Sequence, residues 1–154
     1  MNKIIDLPET IPIFPLSNFI FFPNTSAPLN IFEPRYIQMI DDSIKSNRMI
    51  GMAQPKGISN IKKPELFKVG CLGKISSFNE TDDGRYVIVL NGVSRFNIVE
   101  EIDRGKLYRE FKINFQEFEN DNSKEKSEVN FSDFSLIFKN LKKIFEKQGY
   151  IINW

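Results

Sequence analysis

Side chains able to do chemistry are few in this chain, and their spacing narrows what they could do. There is no histidine. That removes Ser-His-Asp and Cys-His nucleophile activation, imidazole general bases and every zinc site that needs imidazole. Cys71 is the single cysteine, so one chain can form neither an internal disulfide nor an all-cysteine zinc site. Ser59 and Lys62 stand at Ser-x-x-Lys spacing, in which an amine can activate a hydroxyl. The Ser-Asp-Asn and Lys-Thr-Gly strings that accompany such a dyad are missing. Residues 70–76, GCLGKIS, approach a phosphate-binding loop but fail twice: Lys68 takes the first glycine's place, and Ile75 that of the magnesium-binding Ser or Thr. Asp41-Asp42 and Asp82-Asp83 are carboxylate pairs. Neighbours on a helix point about 100° apart, so the first pair does not converge on one substrate. The second precedes Gly84 and reads as a turn. Glu33 and Arg35 bracket Pro34, as a catalytic acid and its orienting partner would, or as a local ion pair at a helix start. Without a histidine to exchange protons, the ion pair is the simpler reading. The expectation is no catalytic residue, no cofactor and no metal.

The elements that must position these residues follow from pattern and breakers. Thr10–Phe22 is rich in β-formers, but Pro12 and Pro15 lack the N–H a ladder needs, which predicts an edge or irregular strand. Ser17 and Asn18 could turn it into a second short strand over 19–22, with 23–30 as loop. Pro34 suits a helix first turn. Tyr36, Ile37, Ile40 and Ile44 share one face beyond it, opposite Asp41, Asp42 and Lys45. Glu33 lies at the positive end of that helix. Residues 48–55 read as a strand containing Gly51, 55–64 as an exposed loop, and 66–78 as a long strand bent at Gly70 and Gly73. After a turn over 79–84, residues 85–102 predict two strands joined at Asn91-Gly92, a strong hairpin signal. Its VIVL run suggests burial on both faces. Phe111, Ile113 and Phe115 alternate with Lys112, Asn114 and Gln116, as in a half-buried strand. Residues 119–130 are polar and charged, a linker or disordered hinge. Beyond it Phe134, Ile137, Phe138, Leu141, Ile144 and Phe145 form a helical stripe, capped by Asn130 or Ser132 and stopped by Gly149. The expected class is α+β, with a mostly antiparallel, glycine-bent sheet, one internal helix and a C-terminal helix.

Bulk properties exclude further classes. A formal charge of +1 over 154 residues lacks the basic excess of a general nucleic-acid binder. Asp6, Pro8, Glu9 and Pro12 interrupt the N-terminus, so it is not a signal peptide. No apolar run reaches the roughly 18 residues needed to span a bilayer. A cytoplasmic setting without membrane is the expectation.

Three strings carry a family resemblance: IPIFPLSNFIFFPNTSAPLNIFEPRYIQMI (11–40), VGCLGKI (69–75) and DGRYVIVLNGVSRF (83–96). In this order they resemble the N-terminal, LON substrate-binding domain of ATP-dependent Lon proteases. IFEPRY is closest to bacterial proteins that carry this domain alone, and more distantly resembles cereblon. The resemblance implies a PUA-like β pseudo-barrel over residues 1–118, a polar linker over 119–130, and an amphipathic helix over 131–154 that begins a helical subdomain. That subdomain usually continues past the place of Trp154, so the resemblance implies a truncated or unusually short member. The ATPase motif and the serine–lysine dyad of those proteases are not in this chain, and no catalytic residue carries over. Pro15, Glu33, Pro34, Arg35, Tyr36, Gly70, Gly84, Gly92, Arg95 and Phe96 then mark the fold rather than chemistry, with Arg95 bracing the sheet.

The implied function is a non-catalytic module that binds unfolded or hydrophobic polypeptide segments in protein quality control, in company with a protease or chaperone. Phe19, Phe21 and Phe22 are the candidate peptide-binding residues, beside an edge at Pro12 and Pro15 that an extended peptide could lengthen. The alternative is RNA binding by a PUA-like barrel, using Lys56, Lys62, Lys63, Lys68 and Lys74 as a basic strip. The near-neutral charge and the lack of interleaved aromatics weigh against it.

Overall fold

A computed structural model describes residues 6–57, 63–122 and 131–147. Two compact units divide at Asn122. The first holds six strands: β1 (Thr10–Pro15), β2 (Ser26–Ile31), β3 (Met49–Ala53), β4 (Val69–Glu80), β5 (Tyr86–Ile102) and β6 (Arg109–Asn114). Helix α1 (Pro34–Ile44) lies between β2 and β3, and a 3-10 helix, Gln116–Asn122, follows β6. The second unit contains α2 (Phe131–Lys147), with Phe134, Ile137, Phe138, Leu141 and Ile144 at helical spacing. Ser59, Lys62, the Asn130 cap and the Gly149 stop lie outside the described residues.

The sheet order is β2-β5-β4-β3-β1-β6, and β6 also pairs with β5. Strands β5, β4, β3, β1 and β6 therefore close a ring, with β2 attached to the outer half of β5. The sheet is mixed. β1 runs parallel to β3 from Ile13↔Gly51 to Pro15↔Ala53, and the remaining pairings are antiparallel.

This closure corrects the expected edge strand at Pro12 and Pro15, because β1 has a neighbour on each side. Its two ladders are staggered. The Ile113 N–H donates to the Glu9 carbonyl, and the Leu16 N–H donates to the Ala53 carbonyl. Odd positions therefore turn their backbone groups to β6 and even positions to β3. Pro12 is even, and the β3 ladder starts only at Ile13; Pro15 is odd, and the β6 ladder ends at Ile13. Each missing N–H falls where no partner strand waits. Residues 19–22 form no strand, and 26–31, expected as loop, form β2.

Asn91-Gly92 is not a hairpin. β5 runs through it without interruption, and the β4–β5 turn is Thr81–Arg85. There the Gly84 N–H donates to the Thr81 carbonyl, and Gly84 has φ +79°, a left-handed conformation that glycine adopts without strain. Nor is VIVL buried on both faces. Ile88 and Leu90 are buried while Val87 is exposed, because β5 is covered only on its inner side here.

Two apolar clusters fill the unit. Ile11, Ile13, Leu72, Phe96, Phe111 and Ile113 pack within the ring. Phe14, Leu29, Tyr36, Met39, Ile40, Ile75, Ile88 and Leu90 pack between the sheet and α1. β3 serves both, Met49 and Ala53 facing the first, Ile50 and Met52 the second, so all five of its residues are buried. Phe96 fits within the ring because a Cβ at Gly51 or Gly70 would come 2.9 or 2.5 Å from its ring.

α1 begins as expected. Glu33 is its extended N-cap, and the Glu33 carbonyl accepts from the Tyr36 and Ile37 N–H groups. Arg35 Nη2 lies 2.8 Å from Glu33 Oε2, and the Arg35 guanidinium sits 4.6 Å from the Tyr36 ring centre. Tyr36 itself is buried edge-on against Phe14 at 4.5 Å. The polar side of α1 is tied down as well. Tyr86 donates to Asp41 Oδ1 and Tyr108 donates to Asp42 Oδ2, so one carboxylate reaches β5 and the other the segment just before β6.

Candidate peptide-binding groove

Residues Leu16–Thr25, between β1 and β2, build one wall of an apolar groove. Asn18 and Asn24 take left-handed conformations, φ 57° and 59°, which asparagine tolerates better than most residues. Both ends of the segment are strapped. The Leu16 N–H donates to Ala53, the Asn24 N–H donates to the Gly92 carbonyl, and the Gly92 N–H donates to the Thr25 carbonyl. Thr25 Oγ1 also donates to the Phe22 carbonyl at 2.7 Å, and Gln54 Nε2 to the Phe19 carbonyl at 3.2 Å. Gly92 is the residue that lets this segment settle, since a Cβ there would lie 2.0 Å from the Phe22 carbonyl oxygen.

The candidate phenylalanines divide in use. Phe21 is buried and Phe19 is partly buried against the same core, their rings stacked 6.3 Å apart. Phe22 is 56% exposed and Ile20 66%. Across from them stand Phe67, 50% exposed, and Val69, 46% exposed, with Met52, Ala53 and Gly70 completing the lining of a cavity of about 220 Å³. Four large apolar side chains thus meet water around one concavity, where ordinary surfaces scatter them singly. The sequence reading found Phe19, Phe21 and Phe22 but missed Ile20, Phe67, Val69 and Arg95 as neighbours of them. The Phe67-Lys68-Val69 alternation was the available signal; nothing local ties it to residues fifty positions earlier.

Arg95 is the one charged residue lining the cavity. Its Nε and Nη2 donate to Asp121 Oδ2 and Oδ1 at 2.9 and 2.7 Å, and its backbone N–H donates to Oδ2 at 2.9 Å. The guanidinium lies 4.5 Å from the Phe118 ring centre. Arg95 therefore fastens the 3-10 helix across β5, and the compact unit extends past Phe118 to Asn122. Hydrogen bonds from Arg95 hold the Asp121 carboxyl below the usual carboxylate range. Cys71 is buried nearby, and desolvation pushes its thiol up to about 12, which makes it a poor nucleophile.

Of the candidate basic strip, two lysines face acids, the pKa of the Glu101 carboxyl being lowered by Arg109 with help from nearby Lys63. Lys56 pairs with Glu65, and Lys62 lies outside the described residues. Among the described residues, no group of three or more Cys, Asp and Glu side chains could hold a metal ion, and no helix is long and apolar enough to cross a membrane.

A mixed six-stranded sheet, one covering helix and an exposed apolar groove thus define an α+β domain. Residues 10–152 match the model of the ATP-dependent protease La (LON) substrate-binding domain, and the chain belongs to that family. It is 34% identical over 92 residues to a Lon protease of Desulfosudis oleivorans, covering 58% of this chain and 11% of that protein. Against a Lon protease of Flavobacterium johnsoniae it is 26% identical over 141 residues, 90% of this chain and 16% of that protein. The chain thus spans only a small part of the length of these relatives. Among solved structures, the N-terminal domain of Mycobacterium avium complex Lon protease aligns with TM-score 0.57 and 14% identity, over 91% of this chain and 69% of that one. A Lon N-terminal domain protein from Xanthomonas campestris aligns with TM-score 0.56 and 23% identity, over 68% and 58%. At these identities the likeness is one of fold.

Proposed function

We propose that this chain is a substrate-recognition module that binds apolar segments of unfolded polypeptides without transforming them. The carrying observation is the groove in which Ile20, Phe22, Phe67 and Val69 stand exposed around a concave floor. Burying such side chains against a partner's apolar residues stabilises a complex by about 25 cal/mol per Å² of apolar surface removed from water, before the costs of association. Family membership supports the reading, since the family is named for substrate binding. In this proposal the closed ring is a PUA-like β pseudo-barrel, and α2 belongs to a helical subdomain reached through a polar linker. The proposed setting is cytoplasmic protein quality control beside a protease or chaperone. Lengthening of the sheet by a peptide at β1 is dropped, because β3 and β6 occupy both of its sides. The near-neutral charge and the acids beside Lys56 and Lys63 favour a polypeptide over RNA.

The test is fluorescence anisotropy of a labelled, permanently unfolded polypeptide. Wild type is expected to bind with Kd below about 100 µM, and Phe22→Asp, a change at an exposed position, to weaken binding by about tenfold. A wild-type Kd above that limit, or equal affinity of the variant, sinks the proposal.

A further inference from the structure

We infer that Asp121 sets the chemical class of segment the groove accepts, acting as a positioning residue through Arg95. The inference rests on the peptide-binding reading above and specifies its ligand. A free arginine beside an apolar concavity would recruit carboxylates, through bidentate hydrogen bonds that few other side chains match. Here the Nε–Nη2 edge is already used and the charge is matched. The Asp121 side chain is 8% exposed, and both of its oxygens accept from Arg95, one of them twice. The guanidinium is further held over the Phe118 ring. Its charge is thus balanced by Asp121, and its Nε–Nη2 edge is taken. What remains for a ligand is the hydrocarbon stem and the Nη1 end of a charge-balanced group, which favours an uncharged apolar segment over a carboxylate.

Two consequences follow. The wild-type groove is indifferent to carboxylates flanking an apolar anchor, because no unpaired cation awaits them. Removing the Asp121 charge reverses this. An unpaired Arg95 is costly to cover with apolar groups, so apolar ligands lose affinity while acidic ones gain a partner. The 3-10 helix that carries Asp121 is therefore part of the recognition device, although Asp121 does not itself line the groove.

The experiment uses the full chain and two fluorescein-labelled, unstructured twelve-residue peptides. Both carry a Phe-Leu-Phe anchor; one is flanked by Gly and Ser, the other by two Glu residues. Wild type is expected to bind them within about twofold of each other, and Asp121→Asn to prefer the acidic peptide by about tenfold. That preference should shrink in 0.5 M salt. The double variant Arg95→Met with Asp121→Asn, which removes both charges, is expected to return to the wild-type pattern. Circular dichroism checks that each variant is folded. A wild-type preference for the acidic peptide of tenfold or more overturns the inference without any variant. So does a ratio in folded Asp121→Asn that is unchanged from wild type, or an acidic preference that persists in the folded double variant. Wild-type binding of neither peptide overturns the peptide-binding reading and this inference together; binding of both with an unchanged ratio in Asp121→Asn overturns this inference alone.

Discussion

Gly92 and Gly84 show how one residue type answers two different demands. Gly84 needs a left-handed backbone, φ +79°, and a Cβ there would meet nothing within 4 Å. Gly92 needs empty space, since its added Cβ would sit 2.0 Å from the Phe22 carbonyl oxygen. Gly84→Ala is therefore expected to cost about 1 kcal/mol from conformation alone. Gly92→Ala should cost more, about 2–3 kcal/mol, because the obstruction is backbone and must be displaced. Urea unfolding midpoints check this, and equal costs would remove the close-approach account. The DG of the Thr81–Arg85 turn was legible locally. The meaning of Gly92 was not, because its cause lies seventy residues earlier in the chain. Asn91-Gly92 satisfies a local hairpin rule that a distant contact overrides.

At the scale of elements, α1 was legible in its proline start and amphipathic pattern, but its buried face is Tyr36, Met39, Ile40 and Ser43, with Ile37 and Ile44 only partly buried. Its attachments were not legible. Asp42 accepts from Tyr108 and lies 3.3 Å from Lys106 Nζ, while Gln38 accepts from the Leu107 N–H. Lys106 and Arg104 also approach the buried Glu110, at 3.7 and 3.9 Å. Hydrogen bonds from Tyr108 and then Lys106 hold the Asp42 carboxyl below its ordinary value of 3.8, and burial pushes Tyr108 up to about 12. A depressed carboxylate stabilises the fold above its unfolded pKa, and that contribution is lost as pH falls through the lower folded value. Asp42→Asn is therefore expected to be less stable than wild type at pH 6, by about 1 kcal/mol or less because the pair is partly screened. The gap should close below pH 3.8. A gap that stays constant from pH 6 to pH 2.5 in denaturant titrations would show that the carboxylate charge has no part in holding α1. The mistaken edge strand has a similar origin: a proline announces one missing donor, but not which side of the strand lacks a partner.

For the whole molecule, the compact unit closing at Asn122 makes a sharp statement about boundaries. Composition alone suggested an end at Phe118, because the residues that follow are polar and acidic. Their polarity conceals a structural role, since Asp121 satisfies Arg95 and is itself buried. A chain of residues 1–122 is expected to unfold in one cooperative transition within about 5 °C of the full-length protein. Residues 1–118, lacking Asp121, should melt lower by about 5 °C or more. Thermal scans followed by circular dichroism decide it, and identical melting of the two fragments would assign the 3-10 helix no stabilising role. The ring and its helix were half legible as an α+β class with glycine bends. The parallel β1–β3 contact and the closure by β6 were not, because pairing between distant strands leaves no local mark.

Ring closure also has a bearing on birth at the ribosome. Ile11 is made a hundred residues before its partner Phe111, on the order of ten seconds earlier at cellular rates of synthesis. Until then the oily N-terminal strand can be held only by β3, and only along its Ile13–Pro15 half. The chain thus spends its own infancy as the kind of polypeptide the proposed groove would bind.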